Sequence, residues 1–140
     1  MSVEFQDFSM QVKAAIEDAT EQFLEEASVE IETQTIRNID KANAIKTGQL
    51  KGSWSHKVDM AAHESKVGSP LENAIWTELG TGEYALGGNG RKGGWVYEDE
   101  EGEHHFTRGK RPVRMLFNAF TSSKQKIIRR AEQIFKERMN

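Results

Sequence analysis

The residue best placed to do chemistry is a single carboxylate in a glycine-rich segment. Glu78 opens the run Glu78-Leu79-Gly80-Thr81-Gly82, whose glycines predict a tight turn. A general acid or base works with a second carboxylate or a histidine, and the sequence places neither beside Glu78. We therefore interpret Glu78 as a structural carboxylate that accepts backbone N–H groups in this turn. A hydrolase that uses Glu78 and a histidine is the weaker hypothesis, and we predict no catalytic residue.

The histidines raise the question of a metal site. His104 and His105 are adjacent and stand next to Glu101 and Glu103. Neighbouring residues on a strand point to opposite faces, so the two rings do not converge on one ion, and no His-x-x-x-His spacing supplies further ligands. We predict a polar hairpin here and no metal or cofactor. We read His56 and His63 as single strand residues and assign them no role.

A glycine-rich loop contains the spacing of a dinucleotide-binding motif, Gly88-Asn89-Gly90-Arg91-Lys92-Gly93. Such a motif must open a helix so that phosphate meets the helix N-terminus, yet the strand-like Trp95-Val96-Tyr97 follows it. The sequence therefore favours a mobile loop between Gly82 and Gly94. Arg91 and Lys92 remain candidates for contact with DNA or with an acidic neighbour.

Three tryptophans are the largest apolar anchors in the chain. Trp54 and Trp76 are expected to pack in the core. Trp95 adjoins the glycine loop, and tryptophan is over-represented among the residues that anchor protein interfaces. Trp95 is therefore our candidate for a contact between subunits.

The elements that position these residues predict an α+β fold. An apolar stripe with helical spacing indicates a long N-terminal helix over about 4–43, with a weaker stretch between Thr33 and Asn38 where a break stays open. Its members are Phe5, Phe8, Val12, Ile16, Ala19, Phe23, Ala27 and Ile31. Gly48 is expected to end the helical region. Leu50–Met60 then predicts a strand whose antiparallel partner is Ala61–Val67.

The second half of the chain predicts a short helix, a hairpin and a long helix. Ser69-Pro70-Leu71-Glu72 has the pattern of a capping box that opens the short central helix, and Gly80 stops that helix after Leu79. A hairpin is expected around Asp99–Gly102, within one small antiparallel sheet. Pro112 opens the C-terminal helix, about 112–138, which packs on the sheet. Its predicted apolar stripe is Leu116, Phe120, Ile127, Ala131, Ile134 and Phe135.

Length and composition limit the classes of protein that fit. The 140 residues suit one domain, 1–140, with a sheet and loop region at about 48–110. The sequence has no cysteine, which excludes disulfides and thiolate chemistry. A secretory signal and a membrane-spanning segment are not expected.

Charge is distributed unevenly along the chain. Residues 1–32 carry 9 acids and 1 base, whereas residues 108–140 carry 10 bases and 2 acids. One interpretation pairs the two terminal helices within a monomer, and another joins the acidic face of one copy to the basic face of the next. The basic C-terminal helix also supports an alternative function, a small nucleic-acid-binding protein, whose affinity would fall steeply with salt.

Several short motifs occur in an order that resembles one family. The chain resembles the head–tail joining, or tail-completion, proteins of long-tailed bacteriophages, the gene-product-ten-like group. The family pattern runs Thr-Gly-x-Leu-x-x-Ser, a Val-Gly step, an apolar patch leading into Glu-x-Gly-Thr, and a proline step into a C-terminal helix. The matching residues are Thr47, Gly48, Leu50, Ser53, Val67, Gly68, Ala74, Ile75, Trp76, Glu78, Gly80, Thr81 and the stretch Arg111–Ala119, which includes Pro112.

This resemblance implies a structural role without enzymatic activity or cofactor. It implies a protein of the virion neck that forms a ring of identical copies. Before assembly, the protein would be in the host cytoplasm. The implied partners are the connector or adaptor on the head side and the tail-tube or tail-terminator protein on the other. The resemblance leaves room for non-specific contact with DNA and implies no membrane.

Overall fold

A computed structural model describes residues 7–42 and 47–139, and within them the predicted α+β fold is confirmed. Helices and short strands follow each other as α1 (Ser9–Lys41), α2 (Thr47–Gly52), β1 (Ser55–Asp59), β2 (Glu64–Gly68), α3 (Glu72–Leu79), a 3₁₀ turn (Gly82–Tyr84), β3 (Trp95–Glu98), β4 (His104–Thr107) and α4 (Met115–Met139). The strands form two separate two-stranded sheets, β1–β2 and β3–β4, rather than the single small sheet that we expected.

Helix α1 is the longest element and runs without a break. Its 33 residues extend about 50 Å at 1.5 Å per residue, and the stretch between Thr33 and Asn38 is regular helix. Among the described residues the helix begins at Ser9, whose backbone N–H donates to the Asp7 carboxylate. The predicted start near residue 4 lies outside the described residues. The predicted end near residue 43 lies outside the described residues.

Helix α4 packs antiparallel along α1. The side chain of Asn38, near the end of α1, donates to the carbonyl of Met115 at the start of α4, and Arg138 at the far end of α4 reaches Gln22. The prediction that the C-terminal helix packs on a sheet was therefore wrong, since α1 presents it with a longer apolar stripe. We predicted that Phe120 lies on the buried stripe of α4, but its side chain is exposed. Met115, Ala119 and Ser123 face α1 instead.

The β1–β2 hairpin covers a second face of α1. Ser55 pairs with Gly68 and Asp59 with Glu64, and the Ser65 hydroxyl meets that of Ser28 on α1. The predicted strand Leu50–Met60 is shorter than expected. The first residues of the predicted strand belong instead to α2. Gly48 also lies in α2, so it does not end the helical region. Leu50 is thereby turned into the core.

The core is small. Ile39, Leu50, Ala74 and Met115 form its buried cluster, and three partly buried side chains pack around it: Trp54, Leu71 and Val113. Each large side chain stabilises the fold by about 1.5–3 kcal/mol when fully buried, so a cluster with three of them gives limited stability. Trp76, the other tryptophan that we assigned to the core, is about half exposed on α3.

Two helix starts differ from their predictions. Helix α3 begins at Glu72, because the Ser69 hydroxyl accepts the N–H of Leu71 in a local turn instead of capping the helix. The capping box is therefore wrong, although Gly80 ends the helix as predicted, with φ of 80°. Helix α4 begins at Met115, three residues after Pro112.

Candidate assembly surface

One group of motif residues forms the junction between α3 and α4. The Glu78 carboxylate accepts the backbone N–H groups of Leu116 and Phe117, at 2.8 and 2.9 Å, and so caps the N-terminus of α4. A negative charge at this position also interacts favourably with the helix dipole. Glu78 therefore accepts backbone hydrogen bonds as predicted, but from residues 38 and 39 positions away rather than from its own turn.

Gly80, Thr81 and Pro112 complete the same junction. The Thr81 hydroxyl accepts the N–H of Lys110, whose carbonyl accepts the N–H of Thr81. A Cβ atom on Gly80 would lie 2.9 Å from both the Lys110 carbonyl oxygen and Pro112 Cδ. Glycine is therefore required where the two segments cross, and these residues have a structural function.

The other group of motif residues lies on α2 and directly after it. Leu50 is buried, and the Ser53 hydroxyl donates to the Leu50 carbonyl at 2.6 Å and contacts the Ser69 hydroxyl. Gly48 is exposed on α2, and the side chain of Thr47 is outside the described part of the structure. Leu50 and the α3–α4 junction thus meet at the core that also holds Ile39.

The glycine loop is closely packed at its base. Glu83 receives the N–H of Gly93 at 3.3 Å and pairs with Arg108 at 3.2 Å. A Cβ atom on Gly90 would lie 2.0 Å from the Gly82 carbonyl oxygen, so the backbone there excludes any side chain. These contacts hold the two ends of the β3–β4 hairpin against the 3₁₀ turn.

The three candidate interface residues lie at the start of the β3–β4 hairpin. Trp95 is half-buried, and the Arg91 guanidinium lies 5.5 Å from the centroid of its ring, within reach of a cation–π contact. Lys92 is exposed and forms no ion pair within the described residues. Arg91 and Trp95 therefore form one surface feature, with Lys92 beside it.

Apolar side chains on both faces of this hairpin are exposed to solvent. Val96 and Phe106 are cross-strand partners on one face, and Tyr97 packs against His105 on the other. β3 and β4 make their main contacts with each other, and an isolated two-stranded hairpin is only marginally stable in water. Cover from another protein surface would stabilise it.

A cluster of potential metal ligands lies in the turn of this hairpin. Ligand atoms of Asp99, Glu103 and His105 all lie within 4.8 Å of one another, and His104 points to the other face as predicted. The hydrogen bond from His105, followed by the backbone N–H of Glu103, lowers the pKa of Asp99. The same hydrogen bonds shape the exposed turn of the hairpin, and this structural role accounts for the close approach of the three side chains.

His56, to which we assigned no role, links the β1–β2 hairpin to α1. Its two ring nitrogens contact Glu25 at 2.6 Å and Glu32 at 2.5 Å. These contacts, with Glu25 the larger contribution, raise the pKa of His56. His63 makes a similar contact with Glu17 but lies in the turn, not in a strand. The partners are 24 to 46 residues apart along the chain, so no local sequence pattern indicated these contacts.

The acidic and basic helices pair within one chain, as the first interpretation of the charge asymmetry predicts, and association between copies remains a prediction. Arg130 contacts Glu26 at 3.0 Å and Lys126 contacts Glu30 at 3.2 Å. The bond to Arg130 lowers the pKa of Glu26 and raises that of Arg130. Lys126 and Arg130 are thus engaged within the chain, whereas Lys124, Arg129 and Lys136 on α4 form no ion pair within the described residues.

Within residues 7–42 and 47–139, no helix combines the length and apolar character needed to cross a membrane. The geometry supplies close-packed turns, helix caps and uncovered apolar side chains, which together suit protein–protein contact. No protein-family model, curated protein or solved structure matches this chain.

Proposed function

We propose that this chain is a structural subunit of a bacteriophage or prophage particle. It acts as a head–tail joining or tail-completion protein at the virion neck, where copies assemble into a ring between the connector and the tail tube. The motif order from Thr47 to Ala119 supports this role, and so does the use that the fold makes of those motifs, as caps and tight turns around one small core.

The observation that carries the proposal is the imbalance between buried and exposed apolar side chains. Within the described residues, 17 large apolar side chains are exposed, whereas 8 apolar residues are buried, and 3 of those 8 are alanines. Scattered exposed apolar residues are normal, but extended uncovered surface marks interaction sites. A subunit that gains its remaining stability from neighbours explains this imbalance.

Ten of the 17 exposed apolar side chains lie in the segments from α3 to the first turns of α4. These segments include α3, the glycine loop, the β3–β4 hairpin and the first turns of α4, and the ten residues are Ile75, Trp76, Leu79, Tyr84, Leu86, Val96, Tyr97, Phe106, Phe117 and Phe120. The open edges of the hairpin also offer backbone groups to which another strand can pair. This surface is where we place the contacts with copies and neighbours.

The test is deletion of the gene from the phage or prophage that carries it. A joining protein acts after heads and tails are built, so its loss should leave filled heads and free tails that electron microscopy shows unjoined. Supplying the wild-type chain from a plasmid should restore joined particles. Normal yields of joined particles without the chain would refute the proposal.

A further inference from the structure

A short basic strip connects the β3–β4 hairpin to α4. It contains three exposed residues, Arg108, Lys110 and Arg111. The carbonyls of Arg108 and Lys110 each accept an N–H group from residues 81–83 at 2.9 Å. A Cβ atom on Gly109 would lie 2.1 Å from the Thr81 carbonyl oxygen, so the crossing of the two segments requires glycine. The backbone of the strip is therefore fixed against the 3₁₀ turn.

The glycine loop adds two more bases to this strip. One carboxylate oxygen of Glu83 accepts the N–H of Gly93 at 3.3 Å and a guanidinium N–H of Arg108 at 3.2 Å. Arg91 and Lys92 directly precede Gly93 and are exposed. The loop and the strip therefore meet at the end of the hairpin opposite its turn. We call their five exposed bases the basic patch: Arg91, Lys92, Arg108, Lys110 and Arg111.

Two arginines of the basic patch lie over aromatic rings instead of pairing with acids. The guanidinium carbon of Arg91 lies 5.5 Å from the centroid of the Trp95 ring. That of Arg111 lies 5.0 Å from the centroid of the Tyr84 ring. Neither arginine forms an ion pair within the described residues, although the chain carries 22 acids. A ring that supports one face of a guanidinium leaves its N–H edge free to bind two oxygens of one phosphate group.

The acids near the basic patch do not neutralise it. Glu83 pairs with Arg108, and both oxygens of Glu78 accept backbone N–H groups of α4. The acids of the hairpin begin at Glu98, three residues from Trp95, which is about 10 Å along a strand. Exposed charges at that separation are largely screened at physiological salt, where the Debye length is about 8 Å. Four of the five bases in the patch form no ion pair within the described residues.

We propose that the basic patch binds the phosphate backbone of nucleic acid without reading its sequence. Arg91 and Arg111, supported by their rings, each hold one phosphate group, and Lys92 and Lys110 add positive charge beside them. Contacts to the phosphate backbone position a protein on nucleic acid but carry no sequence information. This activity goes beyond the proposed structural role and belongs to the isolated chain.

The spread of the bases favours a phosphate backbone over an acidic protein. The patch draws its charge from two chain segments, the loop at residues 91–92 and the strip at residues 108–111, rather than from one pocket around a single carboxylate. Nucleic acid offers charges in regular succession along its length. Basic residues combined with aromatic rings are the pattern that nucleic-acid grooves use.

Fluorescence anisotropy tests the proposal with the purified chain. Labelled DNA of random sequence, as a single strand and as a duplex, is titrated over a range of salt concentrations. We expect binding to at least one form, and the tighter of the two identifies the source of the phosphates. With four bases engaged, affinity should fall roughly 50- to 150-fold for about a fourfold rise in salt. Absence of binding to both forms at low salt would overturn the proposal.

Two matched double variants locate the binding site. Arg91→Ala with Arg111→Ala should reduce the slope of log affinity against log salt by about 1.8 on duplex or about 1.4 on single strands, the share of two phosphate contacts. The control is Lys124→Ala with Arg129→Ala, which removes two exposed, unpaired bases from α4 and should leave the slope unchanged. Circular dichroism checks that both variants fold.

Three results would contradict the assignment of this site. Loss of binding in the α4 control alone would move the nucleic-acid site to α4. Equal slopes in the patch variant and the wild-type chain would remove Arg91 and Arg111 from the contact. Binding of polyglutamate but not of DNA would assign the patch to an acidic protein partner. Each of these results leaves the proposed structural role untouched, because that role is tested separately in particles.

Discussion

Replacement of Glu78 by glutamine separates its structural role from a catalytic one. The carboxylate accepts two backbone N–H groups at the start of α4, 2.8 and 2.9 Å away. Glutamine keeps one acceptor oxygen but turns an NH₂ group toward the second donor and removes the charge from the helix N-terminus. Loss of a cap costs about 0.5–2 kcal/mol, and loss of the charge–dipole interaction costs about 0.3–1 kcal/mol.

We therefore expect Glu78→Gln to lower the free energy of unfolding by about 1–2 kcal/mol. In a chain of this size that corresponds to a fall in Tm of roughly 3–8 °C, which thermal unfolding followed by circular dichroism resolves. Glu132→Gln on the exposed face of α4 is the matched control, because Glu132 has no hydrogen-bond or ion-pair partner within the described residues. Equal Tm values for the two variants would refute the capping role, and loss of a measured turnover in Glu78→Gln would favour the hydrolase hypothesis.

Three further predictions concern the interface, the loop and pH. Trp95→Ala should fold normally by circular dichroism yet fail to enter particles, while Trp95→Phe enters; normal infectivity of the alanine variant would remove Trp95 from the interface. The loop 84–93 should be cut by trypsin after Arg91 or Lys92 in the free protein and protected in the particle, and equal cutting in both states would contradict this. The raised pKa of His56 predicts stability that is full below its ordinary pKa of 6.5 and fades as pH rises through the raised value. His56→Gln should flatten this part of the Tm–pH curve, and an unchanged curve would exclude His56 as its source.

Local signals predicted most of the elements correctly. The hairpin followed from Asp99–Gly102, where Gly102 takes a positive φ of 83° that suits the turn. The long helix followed from its stripe, and Gly80 marked the end of α3. In each case neighbouring residues determine the outcome, so the sequence carries the information directly.

The errors arose where distant residues decide the structure. Helix α4 begins at Met115 rather than Pro112 because Glu78, far away in sequence, supplies the cap. Alternation indicated a strand from Leu50, but residues 47–52 form α2, which places Leu50 in the core cluster with Ile39. The contacts of His56 with α1 depend on a packing that no local pattern encodes.

The central claim is that the uncovered apolar surface of this chain exists to be covered by other proteins in a particle. Quantitative mass spectrometry of purified particles tests it most directly, by counting copies of this chain per copy of the connector protein. We predict a fixed ratio, unchanged after the particles are washed in high salt, as expected of a ring that is integral to the neck. Absence of the chain from intact, infectious particles would contradict the claim.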